Sequence, residues 1–255
     1  MADVVSMADV SVSFFKRTAL QNINASFPAN RISVLVGRSG SGKTTLLRAI
    51  NRLNEEFPGC VTTGKISVDF GQGACDIHAG KMPLEDLRLR AGMLFQTPNC
   101  FPVSVYRNIA MPLSLVTGAP AREIPDKVQA SLEAVGLWEE LKDRLDTPAE
   151  RLSGGQQQRL CLARLLALQP AVLLLDEPTA SLDVHAARGI EDLLQGLAAK
   201  YTIIMVSHEL RQARRMADQA LVCDAGKITG VFTSGAQFTE EALAEIMQSR
   251  SPDCS

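Results

Sequence analysis

Residues 37–44 place three glycines, a lysine and a threonine in the pattern GxxxxGK followed by Ser or Thr. The apolar run 32–36 before them predicts a buried strand, and residues 43–53 predict a helix. In a loop between a strand and a helix, glycines let backbone N–H groups curl around a phosphate, and the helix N-terminus adds partial positive charge. The pattern therefore predicts a nucleotide-phosphate cradle formed by Gly37, Arg38, Ser39, Gly40, Ser41, Gly42, Lys43, Thr44 and Thr45.

Two adjacent acids, Asp176 and Glu177, follow the apolar run 172–175. Such a run predicts a strand buried on both faces, and open α/β sheets bind ligands at the carboxyl ends of such strands. Asp176 is suited to hold Mg²⁺ together with the Thr44 hydroxyl, and Glu177 is suited to take a proton from an attacking water. Without the phosphate loop, the same residues would be an ordinary strand end.

A second loop with paired glycines, Ser153-Gly154-Gly155-Gln156, precedes a predicted helix. Ser153 can cap that helix, and the glycines leave backbone N–H groups free for an anion. One interpretation is simply a capped helix after a turn. The other is that this loop covers a nucleotide bound to another copy of the chain, because one nucleotide needs only one such cradle.

The elements that must position these residues alternate between strands and helices, which predicts a mostly parallel α/β sheet. The predicted strands are 10–15, 32–36, 66–70, 92–95, 172–175, 202–206, 220–223 and 228–232. The predicted helices are 43–53, 83–90, 104–113, 123–135, 138–144, 156–168, 184–200, 209–216 and 239–248. Residues 97–168 lack strand patterns, so they predict a helical subdomain inserted into the sheet domain.

Composition limits the classes of function. The chain has 255 residues and a formal charge of −2, with 5% aromatic residues, which argues against nucleic-acid binding. The sequence shows neither a membrane span nor a secretory signal, so we expect a cytosolic chain. The six cysteines are scattered without CxxC spacing, which predicts reduced thiols that pack as small hydrophobic groups.

The motifs together resemble those of ATP-binding-cassette ATPases. Leu152-Ser-Gly-Gly-Gln156 is similar to the family signature, and the other motifs stand in the family's order. These are the phosphate loop, Gln96, the signature, Asp176-Glu177, Ser181-Leu182-Asp183 and His208. The resemblance implies a P-loop NTPase (RecA-like) α/β core at 1–96 and 169–235 with an N-terminal antiparallel β part. It further implies an inserted helical subdomain at 97–168 and a tail at 236–255.

The resemblance also implies roles for single residues, with ATP and Mg²⁺ as ligands. Gln96 would sense Mg²⁺ and the attacking water, alongside the metal ligands Thr44 and Asp176. His208 would contact the γ-phosphate and keep Glu177 in line. In this family two copies bind head to tail around two ATP molecules. Asp183 would then communicate across the dimer, and Ser153, Gly154, Gly155 and Gln156 would contact the partner's nucleotide.

Adenine requires a flat surface on which to stack. Phe14 shares a strand face with Val10 and Val12, which predicts a core position. Phe15 lies on the opposite face, so it is the predicted stacking residue. Its register is open, because this chain has Lys16 where the family usually has Gly and is one residue shorter nearby.

Residues 97–108 are similar to the corresponding segment in the ATPase subunits of bacterial phosphate importers. The resemblance implies an importer ATPase for phosphate or a related oxyanion, held at the cytoplasmic face of the inner membrane. Two transmembrane permease subunits would dock near Thr97–Asn108, and a periplasmic solute-binding protein would take part indirectly. Cys100 and the C-terminal tail depart from that group. The alternative is a soluble or regulatory cassette ATPase that is not coupled to import.

The phosphate cradle makes a direct prediction for Lys43→Ala. Removing the ammonium removes charge-assisted contacts to phosphate, so ATP affinity should fall roughly tenfold or more. Equilibrium binding of a fluorescent ATP analogue measures this. Lys127→Ala lies outside every motif and is the control; equal affinity in the two variants would contradict the cradle.

Overall fold

The computed structural model describes residues 3–180 and 182–233. The predicted helix 239–248, the tail 236–255 and Ser181 lie outside the described residues. No helix in the described part of the chain combines the length and the apolar character that a membrane span requires.

A six-stranded sheet forms the centre of the molecule, in the spatial order β10-β9-β3-β8-β7-β6. All of its neighbouring strands are parallel except β9 and β10. Its strands are β3 (Ile32–Val36), β6 (Ala91–Leu94), β7 (Val172–Asp176), β8 (Thr202–Ser207), β9 (Gln219–Asp224) and β10 (Lys227–Thr233). Every residue of β3, β7 and β8 is buried, which explains why these strands are mainly apolar and show no alternation.

The second sheet is antiparallel, with four strands in the order β2-β1-β4-β5. They are β1 (Asp3–Phe14), β2 (Arg17–Pro28), β4 (Cys60–Val68) and β5 (Cys75–Asp76). The sequence pattern predicts only the end of β1 and indicates neither β2 nor β5. In β2 the fully buried residues are Leu20, Ile23 and Phe27, and the ladder to β1 shifts register repeatedly. These irregularities break the alternation by which a strand is recognised in sequence.

Helix α1 (Lys43–Ile50) lies between the two sheets. Its buried residues Leu46 and Leu47 belong to one apolar cluster with residues of both sheets, such as Val10 and Ile204. The prediction extended this helix to residue 53. The α-helix ends sooner because Arg52 adopts a left-handed φ of 58°, after which Leu53–Glu56 form a 3-10 turn.

Of the remaining described helices, the one at residues 84–90 packs in the same apolar cluster as α1 through Leu87, and the others pack against the other face of the six-stranded sheet. These helices are α2 (Leu84–Arg90), α3 (Val105–Leu115), α4 (Ile124–Ala134), α5 (Trp138–Leu141), α6 (Gly154–Ala167), α7 (Val184–Leu197) and α8 (Leu210–Met216). Helices α3 to α6 follow one another between β6 and β7, as the pattern indicated. Because α6 contacts β6 as well as α3 and α4, the boundaries of a subdomain at 97 and 168 stay a prediction.

Candidate nucleotide site

The phosphate loop, residues 37–42, connects β3 to α1. A Cβ atom at Gly37 would lie 2.1 Å from the carbonyl oxygen of Cys223, and one at Gly42 would lie 2.9 Å from that of Ala19. Gly42 also has a φ of 100° at the helix N-cap. Glycine is therefore required at both positions, because the loop passes directly against neighbouring backbone.

Lys43, at the start of α1, folds back across the phosphate loop. Its Nζ donates hydrogen bonds of 2.8 Å to the carbonyl oxygens of Gly37 and Arg38, and the residue is only 6% exposed. Burial lowers the pKa of Lys43, and the nearby Glu177 and Asp176 oppose this shift. The ammonium thus lies within the loop that is predicted to cradle phosphates.

Asp176 and Thr44 meet beside the lysine. Thr44 Oγ1 donates a 2.8 Å hydrogen bond to Asp176 Oδ1, and Arg48 Nη2 lies 3.9 Å from Asp176 Oδ2. Burial raises the pKa of Asp176, although the Thr44 hydrogen bond and Arg48 act in the opposite direction. Arg48 was missed in the sequence, although it lies one helical turn after Thr44 and so shares its face.

A hydroxyl and a carboxylate oxygen are the donors that Mg²⁺ prefers, so these residues fit the predicted ion. The described residues contain no cluster of three or more His, Cys, Asp and Glu side chains able to hold a metal alone. A cation here would therefore take most of its remaining ligands from substrate phosphate and water, as Mg²⁺ commonly does.

Glu177 is held between two polar side chains. Its Oε2 accepts a 3.2 Å hydrogen bond from Gln96 Nε2 and lies 3.2 Å from His208 Nδ1. Glu177 has a left-handed φ of 46°, a strained conformation that is common at functional sites. The structure thus brings Glu177, Gln96 and His208 together from three different strand ends.

Glu177 and Gln96 border a cleft of about 750 Å³. Its walls include the phosphate loop and Lys43, Gln96 and Glu177, together with Phe14, Arg17 and the Ala225–Gly226 turn. Arg17 and Ala225 belong to no motif, so only the fold could find them.

The predicted stacking residue Phe15 does not line this cleft. It is 76% exposed, and its ring lies so close to Gly59 that a Cβ there would be 2.6 Å away. Phe14 lines the cleft instead and meets Phe57 edge to face at 6.4 Å. Phe14 is only partly buried because it is the last residue of β1, so the expectation of a core position holds in part. The stacking role of Phe15 stays a prediction.

The signature loop, residues 152–156, lies at the start of α6 and borders a separate cleft of about 550 Å³. Ser153 Oγ accepts a hydrogen bond from the Gln156 N–H, and Gln156 Oε1 accepts one from the Ser153 N–H. This reciprocal capping box confirms that Ser153 caps the helix, as expected. None of the residues described as lining this cleft also lines the first one.

Asp183 lies beside the signature loop in this second cleft. It caps α7, because its Oδ1 accepts hydrogen bonds from the N–H groups of His185 at 2.9 Å and Ala186 at 3.0 Å. These backbone hydrogen bonds lower the pKa of the exposed Asp183 carboxyl, and the one from Ala186 has the largest effect. The structure thus places the signature loop and Asp183 in one cleft, whereas Lys43 of the same chain lies in the other.

Fold and site together define an ATP-binding-cassette ATPase. A family model described as ABC transporter matches residues 20–180, and the chain belongs to this family. The predicted fold class is confirmed by two solved structures. One is cbiO1 from Clostridium perfringens, described as part of the ABC transporter complex cbiONQ. It has a TM-score of 0.81 at 25% identity and covers 99% of this chain and 97% of that chain. A dimeric cassette bound to ADP and phosphate, in a post-hydrolysis state, has a TM-score of 0.73 at 26% identity, covering 90% and 98%.

More specific relatives share a single name, phosphate import ATP-binding protein. PstB 2 of Listeria monocytogenes serotype 4b (strain F2365) is 41% identical over 231 residues, which cover 91% of this chain and 84% of the relative. PstB 2 of Lactobacillus acidophilus is 44% identical over 220 residues, which cover 86% of each. This chain is therefore similar to the ATPase subunits of phosphate importers over most of its length.

The buried Asp176 makes a prediction about stability. Because the pKa of Asp176 is raised in the fold, its ionised carboxylate destabilises the nucleotide-free protein at pH values above the ordinary pKa of a carboxyl group. This destabilisation disappears when the group is protonated at lower pH. Asp176→Asn should therefore raise the free energy of unfolding near neutral pH. The gain should shrink as the pH falls through the pKa that Asp176 has in the fold.

Urea denaturation without nucleotide, at neutral and acid pH, measures this difference. Asp143→Asn, at an exposed position, is the matched control and should change stability little at either pH. A less stable Asp176→Asn protein at neutral pH would mean that Lys43 and Arg48 outweigh the cost of burial.

Proposed function

We propose that this chain hydrolyses ATP to drive an importer of phosphate or a related oxyanion. The observation that carries the proposal is the position of Glu177, held by Gln96 and His208 beside Lys43, Thr44 and Asp176. The choice of solute is supported by the names of the relatives at 41% to 44% identity.

In the proposed mechanism, the N–H groups of the phosphate loop and the Lys43 ammonium bind the ATP phosphates. Thr44, Asp176 and Gln96 would hold Mg²⁺, which supplies charge neutralisation for the transferring phosphoryl group. Glu177 accepts a proton from the water that attacks the γ-phosphorus, while the bond to the ADP oxygen breaks. His208 keeps the Glu177 carboxylate oriented and contacts the γ-phosphate.

The active unit is proposed to be a head-to-tail dimer. A single chain presents two clefts, one with the phosphate loop and one with the signature loop and Asp183. A second copy, rotated about a two-fold axis, would place its signature loop over the nucleotide in the first cleft. The helix N-terminus capped by Ser153 would then add positive potential at the γ-phosphate.

The segment Thr97–Asn108 is proposed to dock on two transmembrane permease subunits, which place the chain at the cytoplasmic face of the inner membrane. Asn108 stiffens this segment, because its side chain accepts a 2.8 Å hydrogen bond from the Phe101 N–H and donates to the carbonyl oxygens of Val103 and Ser104. The Phe101 ring is 40% exposed, and Arg164 lies 4.3 Å from its centroid. A stiff loop with an exposed aromatic ring is suited to docking. A periplasmic solute-binding protein would deliver the anion to these permeases.

Glu177→Gln should separate ATP binding from hydrolysis. An amide accepts no proton from the attacking water, so turnover should fall about a hundredfold or more, whereas ATP affinity should change little. The variant should also accumulate as an ATP-bound dimer. Phosphate release and size-exclusion chromatography with ATP provide the two measurements.

Glu150→Gln, an exposed glutamate outside the cleft, is the control for this experiment. Wild-type turnover in Glu177→Gln would contradict the role of Glu177. A monomeric Glu177→Gln protein with bound ATP would contradict the dimer.

The proposed solute is tested by uptake. Cells that lack this chain should take up labelled phosphate more slowly, and wild-type chain, but not Glu177→Gln, should restore uptake. Competing arsenate, sulfate and molybdate show which oxyanion the importer accepts. If phosphate uptake is unchanged and uptake of another solute is impaired, that solute is the substrate instead of phosphate. This outcome would not contradict the proposed ATP hydrolysis.

A further inference from the structure

Two cysteines that are distant in sequence meet in the fold. Cys100 lies in the loop between β6 and α3, and Cys161 lies on α6, 61 positions later. Their Sγ atoms are 3.5 Å apart and share a hydrogen bond. Both are free thiols; Cys161 is 2% exposed, and Cys100 is half-buried at the surface end of the pair.

A fixed positive charge adjoins this pair. Arg164, one turn after Cys161 on α6, places Nη2 3.9 Å from Cys161 Sγ. The same guanidinium nitrogen donates to the carbonyl and side-chain oxygens of Asn99 at 3.0 and 2.9 Å, so Arg164 is held in place. A guanidinium close to a thiol favours its thiolate, which is the reactive form.

The hydrogen bond from Cys100 lowers the pKa of Cys161, and Arg164 adds to this effect against the opposing influence of burial. The same hydrogen bond, together with burial, raises the pKa of Cys100, so the negative charge of a singly deprotonated pair rests on Cys161. The Cys161 thiolate can take the proton of Cys100 along this hydrogen bond, which makes the half-buried Cys100 the attacking thiolate when an oxidant reaches it.

We propose that Cys100 and Cys161 are a reversible dithiol–disulfide site, oxidised by a small hydroperoxide such as hydrogen peroxide. A disulfide requires the sulfur atoms to approach to about 2 Å, which is a movement of about 1.5 Å from their present separation. The side chain of Cys100 can supply that movement, because Cys100 lies in a loop outside the helices and strands and precedes the part of the segment that Asn108 holds.

The chemistry balances with the peroxide as the only oxidant. The Cys100 thiolate attacks one peroxide oxygen, the O–O bond breaks, and the released hydroxide takes the proton of Cys161 to form water. The Cys161 thiolate then attacks the sulfur of the Cys100 sulfenic acid, forming the S–S bond and releasing hydroxide. A small-molecule dithiol reverses the step by thiol–disulfide exchange.

The disulfide would join the loop that follows Gln96 to the helix that begins at the signature loop. The segment around Phe101 would then be fixed covalently to α6. The consequence for transport rests on the proposed function, because this segment is the proposed permease-docking surface. The formation of the bond itself does not depend on ATP hydrolysis.

The test treats the full chain with hydrogen peroxide, blocks the remaining thiols and maps its peptides by mass spectrometry. We expect a cross-linked peptide pair containing Cys100 and Cys161 that disappears after dithiothreitol. Hydrogen exchange of the backbone around residues 99–103 should become slower in the oxidised chain and recover on reduction.

Cys100→Ser and Cys161→Ser should abolish the cross-link, and Cys75→Ser, at another half-buried cysteine, should retain it. Cys100→Ser changes a loop position, so it tests the site even if Cys161→Ser fails to fold. Oxidation of Cys100 to sulfinic acid without a cross-link, or a cross-link to a different cysteine, would overturn the proposal. Unchanged hydrogen exchange in a fully cross-linked chain would overturn the anchoring of the loop.

Discussion

The parallel register of the six-stranded sheet is the constraint on which the rest of the structure depends. β3 pairs with β8, β8 with β7, and β7 with β6, all in the same direction, so these strands end at one edge. The phosphate loop after β3 therefore meets Gln96 after β6, Glu177 after β7 and His208 after β8. In an antiparallel sheet, alternate strands would carry such residues to opposite edges. Strand direction thus assembles the site, and side-chain chemistry then makes it specific.

The site also carries an electrostatic cost in the nucleotide-free chain. Lys43 and Asp176 are each 6% exposed. Burial lowers the pKa of Lys43 and raises that of Asp176, and both shifts favour the neutral form of the side chain. Loop carbonyl groups offset part of this cost for Lys43, as the Thr44 hydroxyl does for Asp176. The phosphate groups of a bound nucleotide would give the Lys43 ammonium negatively charged partners. Nucleotide binding and fold stability are therefore linked through the same two groups.

The two clefts of the chain are connected through contacts between one loop and helix α6. The loop that leaves Gln96 contacts α6 through Cys100 and Asn99, and α6 begins at the signature loop that borders the second cleft. The Cys100–Cys161 pair lies among these contacts, as does the Arg164 guanidinium that holds the loop. A covalent bond at this place would connect the proposed docking segment to the helix that begins at the signature loop.

The sequence by itself determined the chemistry of this protein and most of its core elements. The phosphate loop, Asp176-Glu177 and the signature are contiguous motifs, and fully buried parallel strands appear as apolar runs, so local pattern is sufficient to find them. The tertiary structure decided what depends on contacts between distant segments. It revealed β2, whose bulges destroy alternation, and it placed Phe14 rather than Phe15 in the cleft wall. It also brought together Cys100 and Cys161, because no sequence spacing encodes a contact that arises only when a loop packs on a helix.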